Sequence, residues 1–157
     1  MAGSRLADEA WRLAADAYPR VLALRAVYGD IDSFQHLNNV AISRFFEEGR
    51  AVINMEAFGE DAVVRPSSGE QLLFASVSVE YLAQGNYPGE LLVGTAVSRI
   101  GGSSFVHSAA LFQHGRPIAL CDAVTVYAVD GKSRPLPPSA RERLEALRPR
   151  HTEERPV

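Results

Sequence analysis

The stretch that decides the fold runs Tyr28-Gly29-Asp30-Ile31-Asp32-Ser33-Phe34-Gln35-His36-Leu37-Asn38-Asn39 and continues into Val40-Ala41-Ile42-Ser43-Arg44-Phe45-Phe46-Glu47-Glu48-Gly49-Arg50. Two carboxylates, an imidazole and two asparagine amides fall between residues 30 and 39. This is dense for a connecting loop, because ordinary loops consist mainly of solvated turn residues. The stretch therefore predicts a site of binding or catalysis, placed directly before a helix.

That helix is predicted to be long and largely buried. Its apolar residues recur at three- and four-residue spacing over roughly five turns. They are Ile42, Phe45, Phe46, Gly49, Val52, Ile53 and Phe58. Asn38 or Asn39 is the natural N-cap, since a short amide can accept from the free backbone donors of the first turn, and Gly59 is the expected C-cap. Mutual pairing at helical spacing is expected on the charged face, which holds Arg44, Glu47, Glu48 and Arg50.

The remaining elements predict an α+β domain. One strand precedes the motif at residues 21–27, a loop follows the helix at 60–70, and four strands then cover residues 73–81, 90–100, 105–113 and 118–129. Because short turns join the last three strands, they form an antiparallel meander. A helix apolar on several faces needs cover on more than one side, so the sheet is expected to wrap it.

The termini are predicted to add one accessory helix each. Residues 5–17 carry an apolar helical stripe, and Ser139 with Glu142 is expected to open a C-terminal helix as a capping box. We expect a single domain over residues 1–157, with its core at about 20–130.

Composition narrows the function. The 157 residues are 46% hydrophobic, enough to bury a core without covalent staples. The lone Cys121 is expected to be a small buried hydrophobe. A net charge of -3, a single lysine and scattered arginines argue against a nucleic-acid surface. With no signal-peptide pattern and no apolar run near the ~20 residues of a membrane span, the expected location is the cytoplasm, without membrane partners.

The motif resembles that of a known protein family. Asp-x-Asp-x-x-x-His-x-Asn-Asn followed by Phe-Glu-Glu-x-Arg resembles the hotdog-fold acyl-CoA thioesterases, in particular the long-chain acyl-CoA and 4-hydroxybenzoyl-CoA types. The residues that carry the resemblance are Asp30, Asp32, His36, Asn38, Asn39, Phe46, Glu47, Glu48 and Arg50. It implies a five-stranded antiparallel sheet wrapped around the long helix. It also implies an acyl-CoA substrate, no metal, no cofactor beyond the coenzyme A of the substrate, and a homodimer or dimer of dimers with sites at the subunit interface.

The resemblance assigns roles within the motif. Asp32 matches the catalytic aspartate, acting either as nucleophile on the thioester carbonyl or as general base for water. The backbone N–H of Asn39 matches the donor that polarises this carbonyl. His36 either carries a proton or, with Asn38, holds the loop and orients the catalytic acid. Asp30 is as well suited to bracing the loop as to touching substrate.

The candidate substrate contacts extend beyond the motif. Phe34 could line an acyl pocket beside Asn38. Gly102, Ser103 and Ser104 lie at a strand turn that approaches the site across the dimer in the family, and glycine lets backbone come close to a ligand. Several family members carry a lysine where Ser103 stands, so a phosphate contact is not expected there. The alternative is that these three are plain turn residues.

Other functions remain as alternatives. A hydratase or dehydratase of the same fold would pair an acid and a histidine at longer spacing, with Asn-Pro between them, which Asp32 and His36 lack. A non-catalytic acyl-CoA binder is the second alternative. A glutamate on the central helix serves another thioesterase branch, but the presence of Asp32 favours structural roles for Glu47 and Glu48. No Gly-x-Ser-x-Gly elbow occurs, and the four histidines show no metal-ligand spacing.

Overall fold

The structure, a computed structural model, describes residues 5–64 and 69–150. Its helices are α1 (Asn39–Phe58), α2 (Glu60–Val64) and α3 (Pro138–Glu145). Its strands are β1 (Arg20–Arg25), β2 (Glu70–Tyr81), β3 (Glu90–Ile100), β4 (Ser104–Gln113), β5 (Arg116–Val129) and β6 (Lys132–Ser133). The strands form one antiparallel sheet in the order β1-β3-β4-β5-β2, with β6 added beside β5. The sheet curls around α1, as the sequence predicts.

The long helix begins and ends where its capping residues allow. The side chain of Asn38 accepts a hydrogen bond from the Ala41 N–H at 2.7 Å, so Asn38 is the N-cap. Gly59 ends the helix with φ of 91°, a backbone conformation that favours glycine. Against the sheet, Gly49 lies so close that an added Cβ would stand 2.5 Å from the Cγ2 atom of Thr95. The helix therefore packs directly on β3.

Three buried clusters hold the layers together. The first joins the N-terminal half of α1, including Phe45 and Phe46, to β3, β4 and β5. The second joins its C-terminal half to α3 through Ile53 and Leu144. The third lies on the outer face of the sheet, where Tyr18 packs under the N-terminal segment. The core thus occupies both faces of the sheet.

A sixth strand corrects the expected five. Asp130 and Gly131 have φ angles of 50° and 74°, which is the two-residue turn geometry that suits a β-hairpin. The chain therefore folds back as β6 instead of leaving the sheet at this turn.

The second strand begins earlier than predicted, at Glu70 instead of residue 73. It lies at the end of the sheet and pairs with β5 alone, and side chains on both of its faces are exposed. Its exposed hydrophobic side chains are Leu73, Phe74, Val77 and Tyr81. A bulge between Phe74 and Ser76 interrupts the register. This edge presents unpaired backbone groups and apolar side chains together.

The predicted N-terminal helix is wrong. Residues 5–17 form three short 3₁₀ turns, Leu6–Asp8, Ala10–Leu13 and Ala15–Ala17. Tertiary contacts outweigh helical periodicity here. The Leu6 N–H donates to Glu80 at 2.8 Å, and the buried Arg12 donates twice to Asp122, at 2.7 and 3.1 Å. The first two turns are therefore held by the sheet rather than by a continuous helical ladder.

Two further local predictions need correction. Ser139 does not form a capping box, because α3 begins one residue earlier, with Pro137 as N-cap and Pro138 at its first position. Proline suits that position, since its missing N–H would have no helical partner. The loop predicted for 60–70 is helical at its start, as α2, while residues 65–68 lie outside the described residues. Within the described ranges, no helix is long and apolar enough to cross a membrane.

Candidate active site

The motif loop is a tight, internally bonded turn. The Asp32 N–H donates to the His36 carbonyl and the Gln35 N–H to the Asp32 carbonyl, both at 3.0 Å. Gln35 has a φ of 65°, and Ile31 bridges Leu37 across the loop. These bonds hold the backbone around Asp32 in one shape.

Asp30 joins this loop to the strand before it and the helix after it. Its carboxylate accepts from the Val27 N–H at 2.8 Å and from the Arg44 guanidinium at 2.6 Å, while its carbonyl accepts from the Asn38 N–H at 2.8 Å. The residue is only 6% exposed. Asp30 is thus bonded as a brace, one of the two possibilities that the sequence left open.

Asp32 presents one carboxylate oxygen to solvent. Its Oδ1 accepts from the backbone N–H groups of Phe34 and His36, at 2.9 and 3.4 Å. Among the described residues, no hydrogen bond is recorded for Oδ2. One oxygen therefore anchors the carboxylate, and the other is available for chemistry.

The Asp32 carboxylate opens into a groove of about 650 Å³. The loop contributes Phe34 and His36, the start of α1 contributes Asn39, and residues 81–85 form the opposite wall. All three predicted catalytic residues, Asp32, His36 and Asn39, therefore line one groove. Phe34 is 78% exposed at its mouth.

The first turn of α1 offers free backbone donors to this groove. The Asn38 side chain satisfies the Ala41 N–H, and the Asn38 carbonyl accepts from the Ile42 N–H at 3.1 Å. Neither the Asn39 nor the Val40 N–H has a recorded acceptor in the described part of the chain. Such donors, at the positive end of the helix dipole, suit a developing negative charge.

The other predicted substrate contacts lie elsewhere in the chain. Gly102 and Ser103 are in the β3–β4 turn, and Ser104 begins β4. The carbonyls of Gly102 and Ser103 accept from the Leu136 and Tyr127 N–H groups at 2.9 and 2.8 Å. Within one chain, this turn has a structural role and does not meet the groove of Asp32.

The family follows from a match over most of the chain. Residues 27–144 match the model of a family described as the thioesterase-like superfamily. The chain belongs to the thioesterase-like superfamily. It is accordingly a thioester hydrolase with the hotdog fold, which confirms both the predicted fold and the predicted class of enzyme. No curated protein is significantly similar in sequence.

Solved structures share this fold. A protein of Pseudomonas aeruginosa strain PAO1 is 28% identical, with a TM-score of 0.74 over 87% of this chain and 96% of that one. A thioesterase from Thermus thermophilus, solved with coenzyme A and Zn, is 23% identical, with a TM-score of 0.73 over 81% and 98%. A 1,4-dihydroxy-2-naphthoyl-CoA thioesterase from Synechocystis is 14% identical, with a TM-score of 0.72 over 81% and 96%.

The thioesterase has a second groove, of about 710 Å³, that sequence patterns did not reveal. It runs between α1 and the inner face of β2 and β5. At one side of this groove, the guanidinium of Arg50 lies 4.6 Å from the centre of the Phe74 ring.

The predicted pairing of charged residues along the helix is not observed. Arg44 forms an ion pair with Asp30, and no ion pair of Glu47, Glu48 or Arg50 is found among the described residues.

A buried histidine lies behind this second groove. The Nε2 atom of His107 is 3.0 Å from Asn54 Oδ1, and its Nδ1 atom is 3.4 Å from the Thr125 hydroxyl. Burial and the positive charge of Arg50 lower the pKa of His107 to about 3, although a hydrogen bond with the backbone of Ala123 acts in the opposite direction. The ring is therefore neutral.

Burial also raises the pKa of the Cys121 thiol to about 11, so this cysteine is not a reactive thiolate. No group of three metal-ligating side chains occurs within residues 5–64 and 69–150.

Proposed function

We propose that this thioesterase hydrolyses an acyl-CoA to a free acid and coenzyme A. The observation that carries the proposal is the shared groove of Asp32 and the N-terminus of α1. A carboxylate and free backbone donors on one groove are the two parts that thioester hydrolysis needs. Two of the similar structures, one bound to coenzyme A and one acting on an aryl-CoA, support a CoA thioester as the substrate class.

Asp32 is the reacting residue in this proposal, by one of two routes. As nucleophile, Oδ2 forms a bond to the thioester carbon, the C–S bond breaks, coenzyme A leaves as a thiol after protonation, and water then cleaves the acyl-enzyme. As general base, Oδ2 removes a proton from water while the water oxygen attacks the same carbon. Both routes use the same position of the carboxylate, anchored through Oδ1. Neither route needs a metal or a further cofactor.

The backbone N–H of Asn39 stabilises the oxyanion that forms on the thioester oxygen. The Asn38 side chain leaves this donor free by satisfying Ala41 instead. In other enzymes the loss of one such donor costs about 2.7–4 kcal/mol of transition-state stabilisation. His36, on the same groove, orients Asp32 through its backbone N–H and can move a proton with its ring. Phe34 contacts the substrate at the mouth of the groove.

A second copy of the chain completes the site. The free edge of β2 carries exposed hydrophobic side chains, which favours pairing with the same strand of another copy. Such pairing extends two sheets into one and makes a homodimer, or a dimer of dimers. The turn at residues 102–104 does not reach the groove within one chain. In the dimer, this turn of one copy contributes to the site of the other copy.

Thiol release tests the catalytic proposal. The parent protein, Asp32→Asn and Asp32→Ala are compared on a panel of acyl-CoAs, with Asp16→Asn as a control distant from the groove. We expect turnover by the parent and a loss of about a hundredfold or more in both Asp32 variants. Unchanged turnover in both would remove Asp32 from the mechanism. No release by the parent would favour the non-catalytic binder, and hydration of an enoyl-CoA would favour the hydratase.

A further inference from the structure

The two grooves are lined by neighbouring residues of the same two elements, α1 and β2. Asn39 lines the groove of Asp32, and the next residue, Val40, lines the groove between α1 and β2. From Val40 the second groove follows the helix past Arg50 to Asn54. At the helical rise of 1.5 Å per residue, Arg50 lies about 16 Å along the axis from Asn39. A group bound at the helix N-terminus can therefore extend an acyl chain toward Arg50.

The walls of this path are mostly apolar. Phe46 of the helix faces Leu72, Val77 and Val79 of β2. These side chains suit a hydrocarbon chain, because burial of each CH₂ group contributes about 0.8 kcal/mol. The helix side of this path also carries Glu47 and Arg44, and Arg44 is paired with Asp30.

The far end of the groove is different, because it carries a positive charge without an acidic partner. Arg50 is half-buried, and its guanidinium lies over the ring of Phe74. Within the described residues, no carboxylate forms an ion pair with it. A guanidinium has five N–H donors in a planar fork that matches a carboxylate. The charge of Arg50 is therefore complementary to an anionic ligand.

Asn54 adds donors beside Arg50, one helical turn further on. Its Oδ1 faces His107 Nε2 at 3.0 Å. In the tautomer protonated at Nε2, the neutral ring donates to this amide oxygen, and Nδ1 accepts from the Thr125 hydroxyl. This arrangement leaves the Asn54 NH₂ group free to donate toward the groove. His107 thus acts as a positioning residue that fixes which end of the amide the groove presents.

We propose that this groove binds an acyl chain whose far end carries a carboxylate, held by Arg50 and the Asn54 amide. The inference rests on the proposed function, since it assigns the acyl class to the same enzyme. The substrate class is then an ω-carboxyacyl-CoA, with its thioester at Asp32 and its second acid group at Arg50.

Matched substrate pairs test this specificity. Adipoyl-, suberoyl- and sebacoyl-CoA are compared with hexanoyl-, octanoyl- and decanoyl-CoA, which have the same chain lengths and lack the terminal carboxylate. We expect the parent to have the higher kcat/KM for the acid of at least one pair. Arg50→Gln is expected to lower that value about ten- to hundredfold while changing the alkyl substrate little, because the lost hydrogen bonds involve charged groups. Arg50→Lys, which keeps the charge, is expected to retain part of the preference.

The control is Arg25→Gln, an exposed arginine at the end of β1, which should leave the acid-to-alkyl ratio unchanged. Equal kcat/KM values for the acid and alkyl members of every pair would overturn the inference. So would an equal loss on both members in Arg50→Gln, since that pattern indicates a structural role.

Direct binding separates this inference from the catalytic proposal. Titration calorimetry of suberoyl-CoA and octanoyl-CoA into Asp32→Asn requires no turnover. Tighter binding of suberoyl-CoA, lost on adding Arg50→Gln, supports the anionic acyl site even if no thioester is cleaved. Hydrolysis of octanoyl-CoA with no preference in either assay contradicts the anionic site alone and leaves the thioesterase proposal standing.

Discussion

Asp30 and Arg44 form an ion pair, with 2.6 Å between Oδ1 and Nη2, that fastens the motif loop to the side of α1. The Asp30 side chain is only 9% exposed, whereas that of Arg44 is 50% exposed. The pair therefore lies at the rim of the core. Because Asp30 also holds the Val27 and Asn38 N–H groups, it fixes both ends of the loop that carries Asp32.

Arg44→Ala is expected to destabilise the protein by about 1–3 kcal/mol, the usual cost of leaving a buried acceptor with an unsatisfied site. Activity should fall further than stability explains, because the loop loses its attachment to the helix that supplies the oxyanion donor. Urea unfolding and thiol release measure the two effects. Arg25→Ala, an exposed arginine without a recorded ion pair in the described part of the chain, is the control. Full activity in folded Arg44→Ala would contradict the bracing role.

Asp122→Ala is expected to be among the most destabilising single changes, at about 3 kcal/mol, the lower end of the cost of breaking a buried ion pair. The guanidinium of Arg12, whose side chain is only 3% exposed, loses its two bonds to Asp122 and keeps only Glu9 as an acidic partner. Arg5→Ala is the matched comparison, because Arg5 pairs with Glu80 while 68% exposed. That pair should contribute about 1 kcal/mol or less. Urea unfolding measures both variants. An equal loss of unfolding free energy in the two would mean that burial does not control the strength of these ion pairs.

The sequence could predict the parts of this structure that depend on local signals. Periodicity and the capping residues Asn38 and Gly59 locate α1, and short turns order the meander. The N-terminal segment was mispredicted because Arg12 bonds Asp122, a residue 110 positions away. Such a long-range contact leaves no trace in a helical pattern.

The candidate site also has a part that depends on local sequence signals and a part that does not. The loop residues are neighbours along the chain, so one motif brings Asp32, His36 and Asn39 to one groove. Arg50 and Thr125 line one groove only because β5 packs against α1 in the folded sheet. From the sequence, Arg50 is predicted to belong to a solvated charged face. Its position on a groove follows only from the packing of the sheet.

His107 is expected to make stability depend on pH. Its pKa is lowered to about 3 in the folded protein, first by burial and then by the charge of Arg50, against about 6.5 in the unfolded chain. Above pH ~6.5 the ring is neutral in both states. As pH falls from ~6.5 toward ~3, the unfolded chain takes up the proton and the folded one does not, so stability falls by at most about 1.4 kcal/mol per pH unit.

His107→Gln removes this group and isolates its contribution. The difference in unfolding free energy between the parent and His107→Gln is expected to shift in favour of the variant as the pH is lowered from 7.5 to about 4. His114→Gln, at an exposed turn position, is the comparison variant. A constant difference across this pH range would mean that His107 is protonated equally in both states.

The free edge of β2 gives the test of assembly. Leu73 is 41% exposed on this strand and lines neither groove, so Leu73→Lys places a charge where a second copy would pair and is expected to convert a dimer to a monomer. Val21→Lys is the matched control, because Val21 is 48% exposed on β1, the strand at the opposite end of the sheet order.

Light scattering on a sizing column measures the mass, and thiol release measures the activity of the same fractions. If the site needs a second copy, Leu73→Lys should lose mass and activity together while Val21→Lys keeps both. A fully active Leu73→Lys monomer would show that one chain contains the whole site, and a dimer in both variants would move the interface away from β2.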